Sequence, residues 1–272
     1  MYNTFYNLKE NPFNMTADPA FFYLSSRHAE AFSHLVYGIE QRKGILVITG
    51  EVGTGKTTLC KTLLTKLDTK TKTALILNPN FSDLQLLKLI VNDLGINGNF
   101  KNKFDIINTL NDFLIEETKK SYNIVIIVDE AQHLKPRQLE QIRLLSNLET
   151  DKDKLLQIVL VGQPELLDKL KLSSLRQLNQ RISVRYHLLP LMQHELRNYI
   201  EHRLKIASAT ENNPNKPYFT DEAINLIYEM SEGTPRMVNI ICDRALLAAY
   251  TLETHTINEH IINKSAKEVV YQ

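Results

Sequence analysis

The sequence predicts an α/β domain built on a five-stranded parallel sheet flanked by helices, followed by an all-helical domain. Short apolar runs rich in β-branched residues alternate with longer segments whose apolar residues recur at helical spacing. That alternation is the pattern of crossover units on a parallel sheet. After Pro190 the strand signal stops, and the remaining segments read as amphipathic helices.

Taken in order, residues 1–43 form a lead-in that carries the aromatic cluster Phe21, Phe22 and Tyr23 and ends in a helix around 26–42. Strands are expected at 45–49, 74–78, 124–128, 157–162 and 183–188. The runs ILVIT, ALILN, IVIIV and IVLVG are nearly continuously apolar, as strands buried on both faces require. Helices at 56–67, 83–94, 105–120, 136–149 and 164–180 should cover the sheet, the second of them capped by Ser82 and Asp83. Beyond the sheet, helices are expected at 192–208, 220–232, 235–252 and 257–268. The Asn- and Pro-rich stretch 209–219 is a loop, and Thr220 is a good helix start. The expected domains are therefore 1–43, 44–190 and 191–272.

With 272 residues, 43% hydrophobic and 23% charged, the chain can build a sizeable core, which excludes wholesale disorder. Its 32 Lys and Arg almost cancel 31 Asp and Glu, so any basic footprint has to be a local patch. The longest apolar runs fall far short of the ~20 residues needed to span a bilayer. The N-terminus has no basic stretch leading into an apolar one, so it is not a secretory signal. A cytoplasmic protein without a direct membrane span is expected. Cys60 and Cys242 lie far apart in apolar helical stretches and read as two buried thiols in a reducing compartment.

Directly after the first strand comes GEVGTGKT, residues 50–57, which fits G-x-x-x-x-G-K-[ST] between a strand and a helix. The glycines Gly50, Gly53 and Gly55 let successive N–H groups converge on phosphate oxygens, helped by the following helix N-terminus. The nucleotide contacts are expected from Gly50, Glu51, Val52, Gly53, Thr54, Gly55, Lys56, Thr57 and Thr58. Lys56 supplies a point charge to the β- and γ-phosphates of ATP, and Thr57 offers a hydroxyl to Mg²⁺. The third strand runs into Asp129 and Glu130, at the sheet edge where ligands bind in open parallel sheets. Asp129 would hold the shell of Mg²⁺, and Glu130 would orient or deprotonate the attacking water. The alternative is that these acids only cap the next helix.

Together with these, Gln163 closes the fourth strand, Arg181 precedes the fifth, and GTPR stands at 233–236 in the helical domain. This set resembles the P-loop NTPases of AAA+ type, and more closely the ATPase domain of the ExeA/GspA family. The resemblance is carried by NPF (11–13), DPAFFYLSSRHAEAF (18–32), GEVGTGKTTL (50–59), VDEAQHL (128–134), LSNLET (145–150), KLLQIVLVGQPEL (154–166), QRISVRYHLLPL (180–191) and CDRALLAAY (242–250). It implies that Gln163 positions the water or γ-phosphate and that Arg236 is a second sensor reaching from the helical lid. It further implies that Arg181 is a finger donated to the site of a neighbouring subunit, so that the protein is a homo-oligomer, a ring or filament. Arg176 and Arg185 are the reserves for that role; each of the three can equally be a solvated surface residue.

Phe22 and Tyr23 could flank the adenine or simply pack. His28, His133 and His187 lack metal spacing and read as surface or satisfied residues. Lys101, Lys103 and Lys135, the last with Arg137 beside it, follow the second and third strands, where they are candidate DNA contacts or solvated charges. The leading expectation is an oligomeric ATPase switch that supports assembly of type II secretion machinery through a protein partner in the envelope. The alternative is an ATP-switched regulator of the TniB/MuB type, which acts on double-stranded DNA with a transposase. A metabolite kinase is a third reading, and the helical domain with its GTPR turn argues against it.

Overall fold

A computed structural model of the chain describes residues 2–149 and 154–270. The elements begin with α1 (Tyr2–Phe5), α2 (Ser26–Glu40), β1 (Ile45–Gly50), α3 (Lys56–Lys66), β2 (Thr71–Ile76) and α4 (Asp83–Asp93). They continue with α5 (Lys103–Lys119), β3 (Asn123–Val128), α6 (Pro136–Leu145), β4 (Gln157–Gly162), α7 (Glu165–Leu170), α8 (Arg176–Gln180) and β5 (Ile182–Leu188). After these come α9 (Gln193–Ala207), β6 (Tyr218–Phe219), α10 (Asp221–Ser231), α11 (Pro235–Thr251), β7 (Thr256–Ile257) and α12 (Glu259–Val270). The chain forms two compact units. One comprises residues 29–52 and 59–188; the other gathers the residues up to His28, the segment 53–58 and the residues from Leu189 onward.

The first unit holds a parallel sheet in the order β2-β3-β4-β1-β5. β1 and β4 are buried along their whole length and β3 from Ile124 on, as their unbroken apolar runs require when helices cover both faces. β2 starts and ends earlier than the expected 74–78, pairing from Thr71 against Asn123 to Ile76 against Val128. It is an edge strand whose first half is only partly buried, so its apolar run marks just the inner half. In that first half Lys72 ion-pairs with Glu117 at 2.7 Å and lies over the rings of Phe113 and Tyr122.

Two helices differ from expectation. The segment 164–180 is α7, a short 3₁₀ turn at Ser173–Leu175, and α8. Its buried residues Leu166 and Leu170 are followed by Leu175 and Leu178, and the interval of five between Leu170 and Leu175 does not fit one helical face. The segment 136–149 stops being helical at Leu145 and turns into an isolated bridge between Glu149 and Lys154. Thr150, the last residue of LSNLET, lies outside the described residues. Ser82 does cap α4, in a reciprocal capping box with Gln85.

In the second unit, α9–α11 and α12 share one core with the lead-in residues Tyr6, Leu8, Phe13 and Phe21. The sequence groups the lead-in with the helix at 26–42; the contacts instead group residues up to His28 with the C-terminal helices. The reason is Arg203 of α9, which is buried and must find acceptors. Its Nε donates to the Pro12 carbonyl at 2.6 Å and its Nη2 to the Asn14 carbonyl at 3.0 Å, and its guanidinium lies 4.9 Å from the Phe21 ring centroid. The NPF and CDR stretches meet in the same way, as Asn11 Nδ2 donates to Asp243 Oδ1 at 2.9 Å. Cys60 and Cys242 are both buried, and burial pushes the Cys242 thiol well up.

Candidate phosphate loop and sheet-edge carboxylates

β1 delivers the chain through exposed Glu51 and Val52 into a tight loop that becomes α3 at Lys56. Gly53 (φ +83°) and Gly55 (φ +95°) adopt backbone that L-residues rarely adopt. Thr54 is buried, Lys56 is only 7% exposed, and Thr57 and Thr58 are partly buried. Two groups of the same unit hold the loop through consecutive carbonyls. The His28 ring meets the Thr54 carbonyl through Nε2 at 2.9 Å, and the Arg236 N–H donates to the Gly53 carbonyl at 3.1 Å. That N–H belongs to the first turn of α11, where backbone donors lack helical partners. The helix starts well, with Thr234 before it and Pro235 at its first position.

The approach is close. A Cβ on Gly53 would stand 2.6 Å from the Arg236 Cβ and 3.2 Å from the Thr234 Cγ2. Gly53→Ala should therefore incur the cost of left-handed backbone and that of displaced neighbours, each worth about 1–3 kcal/mol, and lower the melting temperature by roughly 5–10 °C. A melt within about 1 °C of wild type, well below that predicted shift, would show that the close approach is not a feature of the native loop.

In the unit that holds the sheet, β3 ends where the Asp129 N–H still bonds the Ile76 carbonyl at 2.8 Å. Asp129 is 2% exposed, and its Oδ1 accepts from the Glu130 N–H at 2.9 Å. Glu130 itself stands in left-handed backbone, φ 51° and ψ 36°. For a non-glycine residue this costs about 1–2 kcal/mol and is found where function holds it. Its Oε2 accepts from Gln132 Nε2 at 2.5 Å and lies 3.4 Å from Gln163 Nε2. Gln132 Oε1 in turn accepts from the Gln163 N–H at 3.0 Å. Lys169 Nζ donates to the Gln132 carbonyl and, at 3.1 Å, to that of Leu134. The structure thus brings Glu130 and Gln163 together through Gln132, a residue that sequence reasoning missed. Gln132 stands in the VDEAQHL motif, and the only signal for it is a polar side chain in a turn too short to expose it.

Arg181 ends α8 immediately before β5 and is exposed. With Lys43, Lys154, Ser146 and Ser183 it lines a cavity of about 370 Å³ beside Gly44 and Ile45, at the start of β1. Burial, and then the like charge of Arg181, pull the Lys154 ammonium below its usual range. β1 has six residues, so its start lies five steps, ~17 Å, along the strand from Gly50 at a rise of about 3.3 Å per residue. Arg185 donates from Nη2 to the Asn179 carbonyl and side chain at 2.7 and 2.6 Å, while Arg176 is exposed. Arg236 is exposed in the first turn of α11.

Lys101 and Lys103 are exposed where α5 begins. In chain order they come after β2 and α4. Lys135 and Arg137 are exposed at the start of α6. Phe22 packs edge-on against the His28 ring, and Tyr23 against Tyr199 and His202. His187 Nδ1 pairs with the Thr49 hydroxyl at 3.0 Å, and His133 is exposed. His28, in contrast, is 3% exposed and touches the loop.

A family model described as an AAA domain matches residues 39–170. The Drosophila origin recognition complex solved bound to DNA superposes with a TM-score of 0.70 at 18% identity, over 95% of this chain and 64% of that one. The Aeropyrum pernix ORC2 protein, solved as ADPNP and ADP complexes, gives 0.67 at 16% identity over 96% of this chain and 71% of that one. The fold is that of an AAA+ P-loop NTPase. General secretion pathway protein A of Aeromonas hydrophila is 44% identical over 273 residues, which is 99% of this chain and 48% of that protein. The chain therefore spans about half the length of this curated relative, and the match runs through nearly the whole chain.

Proposed function

We propose that this AAA+ chain binds and hydrolyses ATP and works as an oligomeric conformational switch. The observation that carries this reading is the edge of the sheet at β3, where a buried Asp129 is followed by a Glu130 held in left-handed backbone. The loop supports it: Gly53 and Gly55 occupy backbone that a Cβ would strain, the kind of turn in which successive main-chain N–H groups converge on an anion. The donor set fits Mg²⁺, because the Thr57 hydroxyl and the Asp129 carboxylate are hard oxygens. Among the described residues no group of three or more His, Cys, Asp and Glu gathers to form an all-protein cage, and Mg²⁺ is commonly held by few protein ligands plus phosphates. When bound, Mg²⁺ neutralises charge on the β- and γ-phosphates. Lys56 adds its charge there, Glu130 takes the proton of the attacking water, and Gln163 orients that water or the γ-phosphate. Arg236 senses the nucleotide from the lid.

Arg181 stands too far along the strands from Gly50 to serve its own loop, which favours its acting on a neighbouring copy. The nearest use for such a switch is the ExeA/GspA one, assembly of secretion machinery through a protein partner, with the ATPase on the cytoplasmic side. No helix among the described residues is long and apolar enough to cross a membrane.

Phosphate release from ATP without any acceptor tests the reading, measured against protein concentration. Specific activity should fall on dilution. Arg181→Ala and Glu130→Gln, each inactive alone, should recover activity when mixed, since the first keeps an intact base and the second an intact finger. Flat specific activity and no recovery on mixing would remove the trans arrangement. A second reading, a DNA-acting regulator of the TniB/MuB type, is favoured by the exposure of Lys101, Lys103 and Lys135. It requires the ATP form to bind duplex DNA in a salt-sensitive way that is lost when these three become Ala.

A further inference from the structure

His28 is a buried titratable side chain that none of the roles above uses. The Thr54 carbonyl can only accept, so Nε2 must carry the proton and donate. Nδ1 is then left as an acceptor, and it lies 2.7 Å from the hydroxyl of buried Ser25. The Ser25 hydroxyl can donate to it, which satisfies Nδ1 in the tautomer that bonds the loop. Burial holds the imidazole below its usual range, against the Thr54 bond and the charge of Glu195, so the ring is neutral at physiological pH.

A carbonyl contact on the back of this loop has a consequence on its front. In a trans peptide the C=O of one residue and the N–H of the next point in opposite directions. Drawing the Thr54 carbonyl toward His28 therefore aims the Gly55 N–H the other way. The Arg236 bond to the Gly53 carbonyl does the same for the Thr54 N–H. Such latches matter because glycine populates positive and negative φ about equally, so the 54–55 peptide can flip at little cost. A flipped peptide would present a carbonyl where an anion needs a donor. The Gly55 site also has little room on the His28 side, since a Cβ there would stand 3.1 Å from Nε2.

We propose that His28 is a positioning residue of the phosphate loop, holding the 54–55 peptide so that the Gly55 N–H faces the polyphosphate of a bound nucleoside di- or triphosphate. This rests on the reading of residues 50–57 as a phosphate cradle. The role is exerted before nucleotide arrives, so it should appear as uniform binding, in KM and Kd but not in kcat.

The test compares His28→Leu, which removes the donor, with His28→Gln, whose amide nitrogen can present a donor at similar reach. Fluorescent ADP and ATP analogues report Kd, steady-state hydrolysis separates KM from kcat, and thermal melts monitor the fold. Loss of one buried hydrogen bond predicts about tenfold weaker nucleotide binding by the Leu variant, with kcat within about twofold. The Gln variant should return to within about threefold of wild type. ¹⁵N NMR of the histidine ring in nucleotide-free wild type should find the proton on Nε2. The proposal is overturned by a Leu variant that binds as wild type does, by Gln and Leu variants that are equally impaired, or by a proton found on Nδ1. Should the His28→Leu protein fail to fold, the Gln variant and the ring spectrum still decide. Wild type that binds no nucleotide would instead sink the phosphate-cradle reading, and the role of His28 with it.

Discussion

Lys56→Ala is expected to raise the dissociation constant for ATP by ~10²–10³-fold, since a unit charge about 4 Å from a phosphate oxygen, at an effective dielectric of ~20, is worth about 4 kcal/mol. Each 1.4 kcal/mol or so is tenfold in affinity. Lys56 is 7% exposed and opens α3, so its ammonium is not dispersed in bulk water, where the same interaction would be worth only ~1 kcal/mol. Main-chain donors of the loop would remain in the variant, which is why weak binding rather than none should persist at millimolar nucleotide. Equilibrium titration with a fluorescent ATP analogue measures the effect, with circular dichroism to check that the variant is folded. A loss of less than about threefold, under 1 kcal/mol or so, would mean that the ammonium faces something other than phosphate, and the assignment of GEVGTGKT as the cradle would have to go.

The parts of this site differ in how they can be read from sequence, and the difference is physical. Strands buried on both faces leave unbroken apolar runs, so β1, β3 and β4 are legible; β2, half exposed at an edge, shows only its inner half. The glycines of the loop are legible because backbone at positive φ restricts residue type, and the lysine because it completes the G-x-x-x-x-G-K-[ST] pattern. Asp129 and Glu130 are legible because polar residues at the end of a buried strand need a reason. His28 is visible only as a lone histidine, because its partner is a backbone carbonyl 26 residues away, and a carbonyl carries no mark of residue type. Gln132 is hidden for a similar reason: its amide satisfies a side chain and a main-chain N–H at the end of another strand. The helix break within 164–180 is encoded in the spacing of Leu170 and Leu175, a small departure that the surrounding periodicity masks.

Glu130→Gln should leave ATP binding within a few-fold of wild type while slowing hydrolysis by ~10²–10⁴-fold, the usual contribution of a positioned general base. The substitution keeps the length and shape of the side chain and the left-handed backbone at residue 130, so the fold is not expected to change. What it removes is proton affinity. It also changes the small network at the sheet edge: the Glu130 carboxylate accepts from Gln132 Nε2 and lies near Gln163 Nε2, and an amide can offer only its oxygen to those donors. The variant can keep one such contact by turning its oxygen toward Gln132, and Gln163, at 3.4 Å, then has the weaker claim. Protein incubated with ATP, desalted and denatured should release ATP from the variant and ADP from wild type. Released ADP from both, at equal rates, would move the base elsewhere. The same trapped protein is the material in which an ATP-dependent oligomer should persist, because the state that hydrolysis ends is the state in which Arg181 of one copy would engage the nucleotide of the next.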